Sequence, residues 1–180
     1  GAAAPSLSLA LPEQTDPSIQ QLSSQYPRYA QLCSRAAVKA SEAGFAEVEA
    51  MDVVRYSGED KEGRAVFMFL PGNLSEEIDL ELVSMYALWL MHDTVVRQGK
   101  PYTAVWICNN LLDSRLSFWW FRRTYRMLPH SYHKQMRCLC MVHPSMQVRI
   151  ILFMLSFVIR NSLWNKLFYA ERIEFLDEVC

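Results

Sequence analysis

The segment from Met146 to Ile159 (MQVRIILFMLSFVI) is the feature of the sequence that most restricts how the chain can fold. Its only polar residues are Gln147, Arg149 and Ser156, so a helix formed here carries apolar side chains almost all the way round. Ser145 stands directly before it and is suited to cap its first turn. Such a helix is either buried on all sides or covered by another apolar group where the protein leaves it open.

The length of this segment excludes a membrane span. Residues 145–159 make a helix about 22 Å long at about 1.5 Å per residue, whereas the hydrocarbon core of a bilayer is about 30 Å thick. Arg149 lies inside the segment and Arg160 closes it. We therefore expect the helix to lie against the protein, a lipid or the surface of a bilayer.

Composition narrows the class of protein further. A chain of 180 residues is long enough for one domain with a single core. The net charge of −1 gives no general attraction to nucleic acid. Five cysteines without paired spacing indicate reduced thiols. We expect a cytoplasmic protein, with peripheral attachment to membranes as an open possibility.

The hydrophobic pattern predicts an α/β fold. Residues 1–25 are rich in Ala, Ser, Pro and Gln and predict a flexible leader or linker, followed by one domain over residues 26–180. Strands are predicted over residues 51–56, 65–70, 102–109, 138–142 and 167–170, and helices over residues 26–43, 76–98, 115–128 and 146–159 and from residue 173 onward. This alternation predicts a mostly parallel mixed sheet of about five strands with flanking helices and an antiparallel first hairpin.

The sequence contains no residue pattern that indicates a catalytic group. None of the common nucleophile, phosphate-loop, dinucleotide or zinc-protease motifs occurs in it. Cys138 and Cys140 share one strand face whereas His143 falls on the other, and a fourth metal ligand is missing, so buried thiols are the favoured interpretation. His92 and Asp93 lie on an otherwise apolar helix and are expected to pack or to face solvent. We predict a noncatalytic protein without a cofactor.

The helix predicted over residues 115–128 combines arginines with aromatic side chains. Arg122, Arg123 and Arg126 lie on its rim, and they are either simply solvated or form a surface for anionic head groups or an acidic partner. Trp119 and Trp120 are about 100° apart on the helix, so one of them is expected to be partly exposed.

Several segments together resemble a known family. The run EGRAV, from Glu62 to Val66, is similar to the D-x-x-G-R-P-V motif of Sec14-like (CRAL-TRIO) lipid-binding domains, with Ala65 where proline is usual. The segments LSFWWFRRTYRML, HKQMRCLCMVHPS and SLWNKLFYAERIEFL follow in the order typical of the divergent, BCH-type branch. The lead-in YPRYAQLCSRAA is similar to members that carry this domain behind a macro domain. The resemblance covers about residues 26–180.

The resemblance implies a hydrophobic pocket on an α/β sheet, closed by the helix of residues 146–159 as a gate. The ligand-binding residues predicted on this basis are Phe67, Phe69, Trp106, Cys108, Met141, Met146, Ile150, Phe153, Met154 and Phe157. The residues predicted to meet a head group or a partner protein are Arg122, Arg123, Arg126, Arg149, Arg160 and Lys166. Ser156 stands where relatives often carry proline, and no specific phosphoinositide residue can be transferred.

Two functions follow from the resemblance. The first is noncatalytic binding of a phospholipid or another apolar small molecule, with peripheral membrane contact. The alternative is a protein-interaction scaffold that binds small GTPases or itself, in which large side chains such as Phe67, Phe69, Trp106 and Phe153 fill the pocket. The volume of the space beneath the apolar helix distinguishes the two.

Overall fold

The computed structural model describes residues 17–108, 116–157 and 164–170. Its helices are α1 (Pro17–Ser23), α2 (Pro27–Ser41), α3 (Ala46–Met51), α4 (Leu80–His92), α5 (Phe118–Met127), α6 (His130–Gln135) and α7 (Met146–Ser156). Its strands are β1 (Val54–Glu59), β2 (Ala65–Phe69), β3 (Tyr102–Ile107), β4 (Met136–Val142) and β5 (Leu167–Ala170). The predicted terminal helix from residue 173 and the predicted site residue Arg160 lie outside the described residues.

The five strands form one mixed sheet in the order β1-β2-β3-β4-β5. The β1–β2 hairpin is antiparallel and the remaining pairs are parallel. Phe69, Trp106, Met141 and Tyr169 stand opposite one another across β2 to β5. The predicted fold class and the antiparallel edge hairpin are confirmed.

The two faces of the sheet belong to different clusters, because side chains alternate along each strand. Phe67, Tyr102 and Ala104 share the main core with buried residues of α2 and α4. Val105 and Cys140 belong to a second buried cluster on the other face. Helices α2 and α4 belong to the core on the first face, and α5 and α7 pack over Trp106 of β3 and Met141 of β4 on the same face.

Helix α1 lies within the segment that the sequence analysis assigns to a flexible leader. It packs on α2 through Ile19, which is 8% exposed. The Oγ atom of Ser18 lies 3.2 Å from Nε2 of His92. Helix α1 therefore belongs to the packed part of the chain, since Ile19 and Leu22 lie against the main core.

A polar network lies inside the main core. The hydroxyl of Tyr29 lies 2.7 Å from Nδ1 of His92 and 3.1 Å from the hydroxyl of Tyr132. The Tyr102 hydroxyl donates to the Tyr132 carbonyl at 3.0 Å. Burial, followed by nearby ionisable groups, raises the pKa of Tyr29 well above its usual value. The network therefore consists of neutral hydroxyls that tie α2, α4, α6 and β3 together.

The loop between β1 and β2 is organised by one carboxylate. Asp60 accepts from the backbone N–H groups of Glu62 and Arg64, both at 2.9 Å, and from Arg64 Nε at 2.6 Å. The hydroxyl of Thr103 on β3 donates to it at 3.1 Å. Burial alone would raise the pKa of Asp60, but these hydrogen bonds outweigh burial and hold the pKa below its usual value. The loop is thereby fixed to the sheet.

Replacing this carboxylate should destabilise the domain. We expect Asp60→Asn to lower the free energy of unfolding by about 2–3 kcal/mol at pH 7, because the variant loses charge-assisted hydrogen bonds to Arg64. The folded pKa of Asp60 is lowered, so its contribution is present above the unfolded pKa, near 3.8, and is lost as the pH falls through the folded pKa. Urea unfolding of both proteins over a pH series should show the difference shrinking toward acid.

Glu62→Gln provides the matched control. Its carboxylate is 68% exposed and lies 3.1 Å from Arg64 Nη1, so the loss should be at most about 1 kcal/mol. Equal losses for the two variants would contradict the assigned role of Asp60.

Candidate functional site

An apolar cavity of about 240 Å³ lies between one face of the sheet and helices α4, α5 and α7. The sheet contributes the floor, which includes Phe69, Ala104, Trp106, Leu139 and Met141. The helices contribute the walls and the roof, which include Leu80, Val83, Ala87, Leu88 and Met91 of α4, Trp120, Phe121, Tyr125 and Met127 of α5, and Leu152 and Leu155 of α7. The resemblance implies a pocket beneath the apolar helix; to this space α7 contributes Leu152 and Leu155.

Stacked aromatic rings form one side of the cavity. The rings of Phe69 and Trp106 are stacked with centroids 5.1 Å apart and an interplanar angle of 16°. The ring of Phe121 on α5 lies 5.5 Å from that of Trp106. Each such pair contributes about 0.5–1.5 kcal/mol beyond its buried area. The stack thereby connects β2, β3 and α5, and the rings hold the sheet and α5 apart beside the cavity.

Helix α5 covers the cavity with aromatic side chains. Ser117 caps it by accepting a hydrogen bond from the backbone N–H of Trp120 at 3.4 Å. Trp120, Phe121 and Tyr125 recur at helical spacing and line the cavity, whereas Trp119 points outward and is 68% exposed. No residue of α5 is fully buried, since its inner side faces the cavity. The expectation that one of the two tryptophans is exposed is confirmed.

Helix α7 carries two apolar stripes, and the one made of smaller side chains faces the cavity. Ser145 caps it by accepting from the backbone N–H of Val148 at 3.4 Å. Val148 and Leu155 are buried, and Leu152 and Leu155 line the cavity. These three residues are spaced by four and three positions and so share one helix face.

The structure places the predicted ligand-binding residues in three different environments. Phe69, Trp106 and Met141 line the cavity. Phe67 and Cys108 are buried beside it, in the packed core, and do not line it. The remaining five lie on the outside of the protein and are exposed, namely Met146, Ile150, Phe153, Met154 and Phe157. Their predicted position in the pocket is corrected to the outer face of α7.

The correction has a simple geometrical reason. Helix α7 carries two apolar stripes, and hydropathy alone does not choose between them. The branched residues Val148, Leu152 and Leu155 fit against the sheet and α5, while the longer side chains of the other stripe face away. The sequence does not show which side of α7 faces outward, because no stripe of polar residues runs along the helix. Its polar residues Gln147 and Arg149 lie only in the first turn.

The outer surface of α7 (Met146, Ile150, Phe153, Met154 and Phe157) is strongly exposed. Phe153 and Phe157 are 66% and 78% exposed, and their rings contact each other edge to face at 5.4 Å. Phe168 and Tyr169 of β5 are also exposed, and the guanidinium of Arg149 lies over the Tyr169 ring at 5.8 Å. Large exposed apolar side chains grouped in this way mark a contact surface.

The predicted head-group residues are distributed over several elements. On α5 the Arg122 guanidinium lies 5.6 Å from the centre of the Trp119 ring, and Arg123 and Arg126 are exposed. Lys166 donates to the backbone carbonyl of His133 at 2.9 Å. Burial, and then the nearby Arg137, lower the pKa of Lys166. Of the predicted cations in the described residues, Arg123, Arg126 and Arg149 are exposed, whereas Arg122 and Lys166 are partly buried.

Burial shifts the pKa values of two ionisable groups near the cavity. Burial, followed by the neighbouring His130, lowers the pKa of His133, which lines the cavity. Burial raises the pKa of the Cys108 thiol to about 11, so it stays protonated.

The described part of the chain holds no group of three or more side chains placed to bind a metal ion. Its helices also include none long and apolar enough to cross a membrane.

Comparison with known proteins identifies the family. Residues 63–180, nearly two thirds of the chain, match the family model described as the divergent CRAL/TRIO domain. The chain belongs to this family. The predicted relationship to the divergent branch and the predicted architecture of this CRAL/TRIO domain are therefore confirmed.

Several multidomain proteins carry a similar segment. Rho GTPase-activating protein gacY of Dictyostelium discoideum is 28% identical over 129 residues, which cover 71% of this chain and 18% of that protein. Rho GTPase-activating protein 1 of Homo sapiens is 24% identical over 135 residues, 74% of this chain and 30% of that protein. Protein GDAP2 homolog of Drosophila melanogaster is 28% identical over 125 residues, 69% of this chain and 22% of that protein.

This CRAL/TRIO domain thus spans less than a third of the length of these relatives. The catalytic domains of the GTPase-activating relatives are not covered by the matched segment. Domains of this family are typically noncatalytic binding domains.

Proposed function

We propose that this CRAL/TRIO domain is a noncatalytic binding module that takes up one apolar chain of a lipid beneath α5 and α7. The observation that carries the proposal is the open apolar volume. A cavity of about 150 Å³ admits a benzene molecule, so a cavity of about 240 Å³ accommodates about ten carbon atoms. The second hypothesis of the sequence analysis, a fully collapsed pocket, does not fit this volume.

The volume also limits the affinity. Burial of about ten methylene groups contributes about 8 kcal/mol at about 0.8 kcal/mol each. Association costs about 4 kcal/mol or more, which leaves a net affinity in the millimolar range for the chain alone. A lipid that binds tightly must therefore make further contacts outside the main cavity.

Filling the cavity should remove lipid binding. Ala87 lines the cavity from α4 and is only partly buried, so Ala87→Phe can direct a ring into the space. Native mass spectrometry of protein incubated with a cell lipid extract should show a noncovalent lipid adduct for the wild type and none for Ala87→Phe. Ala46→Phe, at an exposed position on α3, should keep the adduct. An adduct of undiminished intensity on Ala87→Phe would place the ligand elsewhere.

The exposed apolar side chains of α7 support the proposal that the domain acts in contact with a membrane. The sequence from Ser114 to Ala170 contains no Asp or Glu, so the outer surface of α7 lies in the cationic part of the chain. An apolar helix face next to basic side chains suits the interface of an anionic bilayer. The proposal is therefore a cytoplasmic protein that attaches peripherally to membranes through α7.

Vesicle binding tests this attachment. Phe153→Asp with Phe157→Asp should weaken cosedimentation with phosphatidylcholine–phosphatidylserine vesicles about a hundredfold, since two insertable aromatic side chains are lost. Val38→Asp removes another exposed apolar side chain, which is 38% exposed and lies on α2, and should leave binding unchanged. Equal effects of the two changes would argue against α7 as the membrane contact.

A second candidate function is binding of a small GTPase or another acidic protein. It is favoured by the exposed Trp119 with Arg122 over its ring, since tryptophan and arginine dominate binding energy at protein interfaces. Two of the relatives are Rho GTPase-activating proteins by name.

Charge reversal on α5 tests this alternative. Arg122→Glu with Arg126→Glu should abolish calorimetric binding of a Rho-type GTPase, because it places like charges at the interface. Lys39→Glu with Lys100→Glu, both exposed, should retain the binding. Binding that survives the change on α5 would exclude this surface.

A further inference from the structure

The methionines of this domain differ widely in exposure. Met146 and Met154 are 72% and 45% exposed, and both lie on the outer surface of α7. The chain contains nine methionines, and the remaining seven are buried or partly buried. The thioether groups that solvent reaches most easily therefore lie together on one face of one helix.

Packing shields the other methionines from reagents in solution. Met85, Met91 and Met141 are between 3% and 6% exposed. Met68 of β2 is partly buried, and its sulfur accepts a hydrogen bond from Arg55 Nη2 at 3.8 Å. An oxidant must reach the sulfur atom directly, so these side chains should react slowly while the protein is folded.

The thiol groups of the described residues are shielded as well. Cys33, Cys108, Cys138 and Cys140 are all buried. Burial also keeps the Cys108 thiol protonated by raising its pKa to about 11, and the thiolate is the form of cysteine that reacts. Within the described part of the chain, the sulfur atoms of Met146 and Met154 are therefore the most open to an oxidant.

The two exposed methionines lie within the apolar contact surface itself. Met146, Ile150 and Met154 are spaced by four positions and share one face of α7, and Phe153 and Phe157 extend the same face. Oxidation converts the apolar thioether into a polar sulfoxide, and a polar group is costly to bury without a hydrogen-bond partner. Oxidation at these positions therefore weakens contact between α7 and any apolar partner.

We propose that Met146 and Met154 form a reversible oxidation site that controls the attachment of α7 to membranes. Hydrogen peroxide transfers one oxygen atom to each thioether sulfur, which is oxidised by two electrons, and the peroxide is reduced to water. Methionine sulfoxide reductases reverse the step: the oxygen leaves as water, and two thiols are oxidised to a disulfide. The effect on attachment rests on the proposed membrane function, whereas the selective oxidation does not.

Tandem mass spectrometry after limited peroxide treatment tests the site. Met146 and Met154 should each gain one oxygen atom at least about tenfold faster than Met85, because only exposed sulfur atoms meet the oxidant. The thermal unfolding transition should stay unchanged, since both side chains face solvent. Equal oxidation rates at the three positions in the folded protein would overturn the site.

Cosedimentation with phosphatidylcholine–phosphatidylserine vesicles tests the control of attachment. After peroxide, and then dithiothreitol to reverse any thiol oxidation, the wild type should bind about tenfold more weakly. Methionine sulfoxide reductases should restore its binding. Met146→Leu with Met154→Leu keeps apolar side chains of similar size and should bind vesicles equally well before and after peroxide.

Met51→Leu with Met68→Leu is the matched control, because both residues are partly buried, lie outside α7 and do not line the cavity. This variant should lose vesicle binding after peroxide as the wild type does. Undiminished binding of the oxidised wild type, or a loss in the leucine variant of α7, would overturn the control by oxidation while membrane attachment stands. Failure of the unoxidised, folded wild type to bind vesicles would overturn the attachment itself and its control.

Discussion

The structure depends on how the apolar face of the sheet is covered. Helix α4 packs on β1 and contacts α2, whereas α5 and α7 lie over β3 and β4 and leave a pocket of about 240 Å³. The lining of this space is almost entirely apolar, so it leaves side chains of the sheet, α4 and α5 without close-packed neighbours. The proposed binding of an apolar chain rests on this lining.

The aromatic stack explains why the cavity does not close. Trp106 contacts Phe69 on one side and Phe121 on the other, so α5 is held at the distance set by three rings. The hydroxyls of Tyr29 and Tyr132 and the ring of His92 form a second fixed region of the core. Helix α5 itself has no fully buried side chain, so its position over the sheet depends on partly buried rings such as that of Phe121.

Much of this arrangement could be predicted from the sequence, and the remainder has identifiable physical causes. The strands, the antiparallel hairpin, α5 and α7 were predictable because hydrophobic periodicity is a local property. The orientation of α7 was not, because Val148 and Phe153 belong to two stripes of similar hydropathy. The contact of Tyr29 with Tyr132 joins residues 103 positions apart, and periodicity carries no information on such pairs. Helix α1 was missed since a single buried residue, Ile19, fixes it.

The two faces of α7 connect the cavity with its surroundings. Leu152 and Leu155 contact the interior space, while Phe153 and Phe157 extend outward from adjacent turns. In water the outer side chains are a liability, since burying each fully contributes about 1.5–3 kcal/mol. Contact with an apolar surface outside α7 would therefore stabilise this helix.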